Sequence, residues 1–254
     1  MIIKNRLANK TMFDFSWKPN VRREKIVFPL ICEIMNHDKA DKLNLSDNDF
    51  SSNDIRCLSG FLESNETLTD LILIQSNLIS SDVCNLFEGL KRNTTLSRLS
   101  ISWKNDNRSS FIKLGELLRI NKSITRIEII KTDINPEDAL ELAKALEVSD
   151  TLSHISLWGN KLNLESFRCI NESLKINKSL LTFEVIANPL CSEGIRYLSE
   201  SLIINKTLKK VCLYENKIEE DAFNYLKKSL ETNNILSELI LDYQGVRINL
   251  VETL

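Results

Sequence analysis

Apolar residues along the chain follow a pattern that returns every 28 residues. In the unit that starts at Leu208, Val211 and Leu213 point inward and alternate with Lys210, Cys212 and Tyr214 on the opposite face, and this alternation predicts a β-strand. Leu226 and Leu230 follow at a spacing of four, which predicts an α-helix with one buried face. A repeat of this length predicts stacked strand–helix units. The units start at Met12, Ala40, Leu68, Leu96, Ile124, Leu152, Leu180, Leu208 and Leu236.

The predicted helices carry two apolar slots, at the nineteenth and twenty-third positions of the unit. No unit can bury these side chains alone, so we expect neighbouring units to stack into one continuous core. Each strand is followed by a helix and then by a strand in the same sense, which predicts a parallel sheet with right-handed crossovers. The slots hold Leu30, Leu58, Leu86, Leu114, Leu142, Ile170, Leu198 and Leu226, and Ile34, Leu62, Leu90, Leu118, Leu146, Leu174, Leu202 and Leu230.

The string L-x-x-L-x-L-x-x-N-x-L, as in LSHISLWGNKL at 152–162, resembles the leucine-rich repeat. The unit length and the helix pattern are similar to the ribonuclease-inhibitor-like subclass of that family. The resemblance implies an α/β solenoid, a right-handed horseshoe with a concave parallel sheet and convex helices. It also implies a ladder of asparagines at the ninth position of the unit. That position holds Asn20, Asn48, Asn160, Asn188 and Asn216, but Ser76, Lys104, Thr132 and Gln244 interrupt the pattern.

The unbroken period predicts a single leucine-rich-repeat domain over residues 1–254. Within it, residues 1–11 match the end of an N-terminal repeat helix, 12–235 form eight full units, and 236–254 form an incomplete ninth. Neither end has the polar character of a capping unit. Three alternatives stay open: the ends fray, they pair with another copy of the chain, or they continue into a longer protein.

Charge and hydropathy exclude several classes of partner. The chain has 33 basic and 35 acidic side chains and a formal net charge of −2, which argues against nucleic acid as a partner. Its longest apolar stretch, 26–35, contains Pro29 and Glu33 and is too short to cross a bilayer. The first residues lack the apolar core of a secretory signal. We therefore predict a cytoplasmic protein without membrane contact, unless a secretion system recognises it by other means.

Cysteines and asparagine sequons both have structural explanations. The six cysteines, at 32, 57, 84, 169, 191 and 212, include no CxxC pair, so we expect small buried side chains and no zinc or disulfide framework. Five Asn-x-Ser/Thr sequons share one slot at the end of the predicted helices. Asparagine tolerates the left-handed conformation that ends a helix, so we predict C-caps rather than glycan acceptors. The sequons start at Asn65, Asn93, Asn121, Asn177 and Asn205.

Outward-facing strand positions predict a partner-binding surface on the concave face. At about 4.8 Å per strand, the seventh positions would form an apolar strip, surrounded by charged third and fifth positions and by aromatic eighth positions. An aromatic and aliphatic centre with a charged rim is typical of protein-binding sites. The alternative is that these residue types simply favour strands and pack sideways. The predicted surface comprises Ile130, Trp158, Ile186 and Tyr214 in the strip, Trp103 and Tyr243 beside it, and Arg126, His154, Glu128 and Glu184 around it.

The unit at 96–123 breaks the pattern twice, with Lys104 in an asparagine slot and Asp106 in an apolar one. Such a departure marks either a functional spot or drift in a tolerant loop. Catalytic signals are scarce: the glycines form no phosphate-binding loop, and only His37 and His154 could act as imidazole bases. His154 and Cys212 lie two units apart, beyond hydrogen-bond reach. We therefore expect no enzyme activity, no cofactor and no metal, and His154 as a contact residue.

The sequence thus predicts a non-catalytic module that binds another protein on its concave face. The abundance of Asn, Lys and Ile also suits an AT-rich microbe, so a bacterial effector in the host cytosol is one setting. One alternative is a GTPase-activating protein that resembles the Ran-activating family, although its acidic tail is absent here. Another is the repeat part of a larger sensor, or a subunit that self-associates through its uncapped ends.

Overall fold

The computed structural model describes residues 3–7, 10–16 and 40–252, with side chains described for 12–16 and 40–252. Several sequence predictions lie outside the described residues, namely those for Asn20, Leu30, Cys32, Ile34 and His37. The chain divides into two compact units, Met1–Ile127 and Glu128–Leu254. Each unit is described by itself below.

In the first unit, strands and helices alternate after an N-terminal hairpin. Strands β2 to β5 are parallel. From β3 to β5 each residue faces the one 28 positions later, as Lys42 faces Asp70 and Asp70 faces Arg98. Between β2 and β3 the offset is 30 residues, as Met12 faces Lys42. The strands are β1 (Ile3–Leu7), β2 (Lys10–Asp14), β3 (Lys42–Asn44), β4 (Asp70–Leu73) and β5 (Arg98–Ile101). The helices are α1 (Ser52–Ser64), α2 (Ser80–Leu90) and α3 (Ser109–Ile120).

The second unit repeats the same alternation and ends in a hairpin. Strand β6 (Arg126–Ile130) contains the division between the units, and β7 to β10 are parallel with the same 28-residue register. The remaining strands are β7 (His154–Trp158), β8 (Thr182–Glu184), β9 (Lys210–Leu213), β10 (Glu238–Tyr243) and β11 (Val246–Asn249). The helices are α4 (Pro136–Val148), α5 (Leu164–Ile176), α6 (Ser192–Ile204) and α7 (Glu220–Leu230).

The core lies between the strands and the helices in each unit. Within the described residues the two apolar helix slots are buried, with the exception of Leu230, which is half-buried. Inward strand residues such as Ile155 and Leu157 have no exposed surface. These side chains pack between successive strand–helix segments, as stacking requires. The α/β fold class of a leucine-rich-repeat solenoid is therefore confirmed, while the ribonuclease-inhibitor-like subclass stays a prediction.

The sequon asparagines do lie where helices end, but the left-handed conformation expected for them is wrong. Asn177, the C-cap of α5, has φ −58° and ψ 137°. Its side-chain Nδ2 donates to the carbonyl of Leu146 at 2.6 Å, and its Oδ1 accepts from the backbone of Leu180 at 2.8 Å. One amide thus joins the end of one helix, the preceding helix and the next strand. The same arrangement occurs at Asn93, Asn121, Asn205 and Asn233.

The ninth-position asparagine ladder is present in the second unit. Asn188 Nδ2 donates to the carbonyl of Leu157 at 2.7 Å, and Asn188 Oδ1 accepts from the backbone N–H of Asn160 at 3.1 Å. Asn216 Oδ1 accepts in turn from the backbone of Asn188 at 2.9 Å. In the first unit the corresponding Lys104 is exposed, so the ladder is interrupted there, as the sequence predicts.

Both chain ends differ from the predicted helical segments. Residues Ile3–Leu7 form a strand antiparallel to β2, and Val246–Asn249 form one antiparallel to β10. At the C-terminal hairpin, Gln244 and Gly245 have φ 50° and 78°. Two residues with positive φ make the tight turn whose twist matches paired strands, so the chain reverses instead of starting a helix. At the N-terminal end, β1 supplies hydrogen-bond partners for the outer side of β2.

Candidate functional site

Alternation along the strands of the second unit divides their side chains between two faces. In β7, Ile155 and Leu157 point toward the helices and are fully buried, while Ser156 and Trp158 point to the opposite side. We call that opposite side, over β6 to β10 of the second unit, the strand face. It carries the third, fifth and seventh positions of each repeat, which are the positions that the sequence assigned to partner contact.

The structure brings Trp158, Ile186 and Tyr214 together on the strand face, at the end of β7 and just after the ends of β8 and β9. The backbone N–H of Gly159 donates to the carbonyl of Ile186 at 2.9 Å, and that of Ala187 donates to the carbonyl of Tyr214 at 3.0 Å. These hydrogen bonds fix the register, so the three side chains lie side by side at about 4.8 Å per strand. All three are half-buried. They form a continuous apolar surface that solvent reaches, and we call it the aromatic strip.

The sequence analysis places Ile130 in this exposed surface, and that prediction is wrong. Only 7% of Ile130 is exposed. The backbone N–H of Lys131 donates to the carbonyl of Trp158 at 2.9 Å, which places Ile130 in the column beside that indole. A large ring one strand away covers most of a branched aliphatic side chain. Ile130 therefore adds little to the surface that a partner can reach.

Two cations that the sequence analysis missed lie against the aromatic strip. The guanidinium carbon of Arg247 is 3.6 Å from the centroid of the Tyr214 ring, and Lys131 Nζ is 5.0 Å from the Trp158 ring. Both distances fall within the range of cation–π attraction. Arg247 comes from β11, a strand that the sequence did not predict. The Gln244-Gly245 pair followed by alternating residues is the signal that would have revealed this hairpin.

The prediction that Trp103 and Tyr243 join the strand-face surface is wrong. Trp103 is 4% exposed, its Nε1 donates to Ser110 Oγ at 3.1 Å, and its ring centroid lies 5.2 Å from that of Phe111. Tyr243 stacks on Phe223 of α7 with ring centroids 4.1 Å apart. Strand alternation places the eighth position on the side opposite to the seventh, so these rings turn toward the helices.

The backbone φ angle at the eighth position differs between the repeats with Trp103 and Tyr243 and the other repeats. Six repeats hold this residue in the left-handed region, where the strand ends in a turn. Trp103 and Tyr243 do not have positive φ, and bulky side chains disfavour that conformation. The residues with positive φ at this position are Asp47, Gln75, Lys131, Gly159, Ala187 and Glu215.

His154 is buried, which corrects its prediction as an exposed contact residue. It is 8% exposed, and its Nε2 lies 3.5 Å from a carboxylate oxygen of Glu184 on the neighbouring strand. This distance brings the imidazole beside a negative charge but is too long for a strong hydrogen bond. Glu184 and Glu128 are half-buried on the strand face. Arg126 is half-buried on β6 and belongs to the first unit by the division of the chain.

The polar side chains beside the aromatic strip form ion pairs or stay protonated, and they do not form a reactive group. Lys210 Nζ lies 2.9 Å from a carboxylate oxygen of Glu238, and this hydrogen bond raises the pKa of Lys210. Burial raises the pKa of the Cys212 thiol, which keeps it protonated at neutral pH and without a nucleophilic thiolate. In the part of the chain that the structure describes, no group of three or more His, Cys, Asp or Glu side chains could hold a metal ion.

The five described cysteines carry free thiols, but their expected burial holds only for Cys212. Cys57 and Cys191 are exposed, and Cys84 and Cys169 are partly so. Cys57, Cys84 and Cys169 lie on helices, which bury only one stripe, and Cys191 is the N-cap residue of α6. Among residues 40–252 and the short described segments before them, no helix is both long enough and apolar enough to span a bilayer.

No protein-family model and no curated protein sequence matches the chain. Among solved structures, the tropomodulin C-terminal domain of Caenorhabditis elegans is 19% identical with a TM-score of 0.49, over 61% of this chain and 92% of that one. The leiomodin-1 actin-binding site 2 is 14% identical with a TM-score of 0.35, over 81% and 90%. A Bacteroides fragilis protein is 13% identical with a TM-score of 0.35, over 87% and 80%. Likeness at this level assigns no function.

Proposed function

We propose that this chain is a non-catalytic protein-binding module that holds its partner on the strand face of the second unit. The single observation that carries the proposal is the aromatic strip. Trp158, Ile186 and Tyr214 lie in register at the carboxyl ends of three neighbouring strands, away from the helices, and solvent reaches all three. Aromatic side chains that are packed at their base and open above are the usual anchors of protein interfaces.

Contacts within the chain restrict the two rings of the strip, which favours binding. Arg247 stacks on Tyr214, and Lys131 lies over Trp158, so both rings have defined positions in the free protein. The buried Ile130 lies in the neighbouring column, one strand from the indole. A surface that is already rigid loses less conformational entropy on association, so more of the contact energy appears as affinity. A partner that covers Trp158 and Tyr214 also removes a large apolar area from water.

The absence of enzyme activity is part of the same proposal. It is supported by the state of the residues best suited to catalysis on the strand face, because His154 is buried beside Glu184 and the thiol of Cys212 is protonated. A general base must reach a substrate proton, and a nucleophilic cysteine must be a thiolate. No observation on this surface favours the GTPase-activating alternative.

We also propose a cytosolic setting, which includes a host cytosol if the chain is a microbial effector. Exposed free thiols at Cys57 and Cys191 support it, because exposed cysteines persist unpaired in reducing compartments. The sequon asparagines support it as well. Side-chain amides such as that of Asn177 already donate to backbone carbonyls and are buried, so a glycan there would break a structural link.

Affinity capture with matched variants tests the proposal. We expect wild-type protein to retain a partner from lysate that the double variant Trp158→Ala/Tyr214→Ala loses, with a cost of about 2 kcal/mol or more in binding. Tyr225→Ala is the matched control, because Tyr225 is an exposed aromatic residue on helix α7. It should retain the partner.

Equal capture by the folded double variant and by wild type would contradict the proposal. The captured complex should also be assayed for partner turnover. If the partner is a small GTPase and its GTP hydrolysis accelerates, the non-catalytic part of the proposal fails, whereas unchanged turnover supports a binding role.

A further inference from the structure

A second apolar surface lies at the C-terminal ends of three consecutive helices in the second unit. Val148, Ile176 and Ile204 are the last residues of α4, α5 and α6, and they are 54%, 57% and 52% exposed. All three occupy the twenty-fifth position of the repeat, so they recur every 28 residues. We call this set the helix-end row. It is separate from the aromatic strip, which lies on the strands.

Cap hydrogen bonds hold neighbouring helix ends level with each other. Asn177 Nδ2 donates to the carbonyl of Leu146 in α4, and Asn205 Nδ2 donates to that of Leu174 in α5, both at 2.6 Å. Between the first two helix ends lies an open groove of about 380 Å³, lined in part by Val148 and Ile176. Since packed helix axes are about 8–10 Å apart, the row repeats at about that spacing.

The fold does not require aliphatic residues in this slot. The same position of the repeat holds Ser64 at the end of α1, and Arg92 and Thr232 two residues past the ends of α2 and α7, so these helices end without an apolar side chain there. In the first unit α3 ends at Ile120, which is aliphatic and 56% exposed like the row. Three consecutive aliphatic side chains that remain more than half exposed therefore contribute little to the core. Contiguous exposed apolar surface of this kind is typical of interaction sites.

Charged residues beside the helix-end row determine which ligand charges are complementary to it. Lys178 and Lys206 are exposed and follow the ends of α5 and α6 by two residues, while the exposed Glu147 and Asp150 lie at the end of α4. The surface is therefore basic around Ile176 and Ile204 and acidic around Val148. A ligand that matches it must be apolar in the middle, acidic over two helix ends and basic over the third.

We propose that the helix-end row binds an amphipathic α-helix from a partner protein. Seven residues of an α-helix span about 10.5 Å, so apolar residues at i, i+7 and i+14 match the spacing of Val148, Ile176 and Ile204. The bound helix carries glutamates near Lys178 and Lys206 and lysines near Glu147. Helices recognised by apolar grooves use such anchors on one face.

Designed peptides and paired variants test this assignment. The probe is a labelled 21-residue helical peptide with leucines on the heptad positions, glutamates over two thirds of its length and lysines over the rest. A charge-swapped peptide with the same leucines is its control. By fluorescence anisotropy, wild-type protein should bind the probe saturably with Kd below about 100 µM and the swapped peptide at least tenfold more weakly.

Variants of this chain locate the binding. Ile176→Gln/Ile204→Gln should weaken probe binding at least tenfold, whereas Leu140→Gln/Leu164→Gln, which changes exposed leucines elsewhere on α4 and α5, should not. The variant Lys178→Glu/Lys206→Glu leaves Val148, Ile176 and Ile204 unchanged. It should bind the charge-swapped peptide more tightly than the probe. Trp158→Ala/Tyr214→Ala should bind the probe normally, which separates this inference from the proposed function. Circular dichroism confirms that each variant is folded.

Several results would overturn the inference. Wild type that binds neither peptide, or binds both equally, contradicts recognition of a charged amphipathic helix. Sedimentation with vesicles containing phosphatidylserine that is lost in Ile176→Gln/Ile204→Gln would assign the row to a lipid surface. A mass that rises with concentration in wild type but not in that variant would assign it to a second copy of the chain.

Discussion

Trp103 in the first unit lies just after β5 and Trp158 in the second is the last residue of β7, but their surroundings differ. Trp103 is buried against Phe87 and Phe111, with its indole N–H bonded to Ser110. Trp158 is half-buried on the strand face beside Ile186. A difference of one repeat position, the eighth against the seventh, separates a core residue from a candidate binding residue. Composition alone does not distinguish them.

The repeat that contains Trp103 lacks an apolar residue that other repeats have. The eleventh position of the repeat is buried and aliphatic at Leu78, Leu162 and Leu190, but in the repeat 96–123 it is the exposed Asp106. The inward indole supplies the apolar volume that Asp106 lacks. The irregular unit at 96–123 is therefore explained by packing, without a binding role for Trp103.

The largest expected effect is the contrast between the two tryptophans in stability. Trp103→Ala should cost about 3–5 kcal/mol, because it opens a cavity and leaves the Ser110 hydroxyl without its donor. Trp158→Ala should cost less than about 1 kcal/mol, because solvent already reaches that ring. Chemical denaturation followed by far-UV circular dichroism measures both. Similar losses for the two variants would remove the distinction.

A second contrast concerns the ninth position of the repeat, where asparagines form a hydrogen-bonded ladder in the second unit and Lys104 interrupts it in the first. Asn188→Ala removes an amide that accepts from the backbone of Asn160 and Leu162 and donates to Leu157, so it should cost about 2–4 kcal/mol. Lys104→Ala, at the same position in the first unit, should change stability by less than about 0.5 kcal/mol, because Lys104 is exposed. Thermal unfolding compares them, and a costly Lys104→Ala would contradict this assignment.

The smallest effect concerns ion pairs between helices of the first unit. Lys91 at the end of α2 and Lys113 in α3 both contact Glu116 in α3, and their hydrogen bonds lower the pKa of Glu116 to about 2. Since the unfolded value is near 4.5, this stabilisation is complete above pH 4.5 and is lost as the pH falls toward 2. Exposure to water limits it to about 0.5–1 kcal/mol.

Glu116→Gln should therefore reduce stability at pH 6 and flatten its decline between pH 4.5 and 2. Urea denaturation at a series of pH values measures this, with Glu66→Gln as the control, an exposed glutamate of the same unit. In the second unit, ion pairs such as Glu165–Arg168 and Glu193–Arg196 stay within one helix. An unchanged pH profile for Glu116→Gln would show that the link between α2 and α3 contributes nothing.

The 28-residue period predicted the strands, the helices and the core positions, because these depend on apolar spacing, which the sequence displays directly. It also predicted the neighbours Trp158, Ile186 and Tyr214, since register follows from the period. It did not predict which side of the sheet Trp103 and Tyr243 face, because that depends on the turn after the strand. It also did not predict the two ends of the chain, where the structure has hairpins. Arg247 could not be placed without the second of these hairpins.

The helix-end row was visible in the sequence as aliphatic residues at one repeat position, but its exposure was not. Ile176 and Ile204 fall beside core positions of the helix, and periodicity alone does not separate the last core residue from the first exposed one. The cap asparagines decide this, because they end each helix at that residue and turn the chain toward the next strand.

Hydroxyl-radical footprinting of the chain with its captured partner tests the central claim most directly. In the free protein, Trp158 and Tyr214 should oxidise readily while Trp103 stays protected, as their exposures require. Addition of the partner should protect Trp158 and Tyr214 and leave the exposed Tyr225 unchanged. Oxidation of Trp158 and Tyr214 at the same rate with and without partner would contradict a binding site on the strand face.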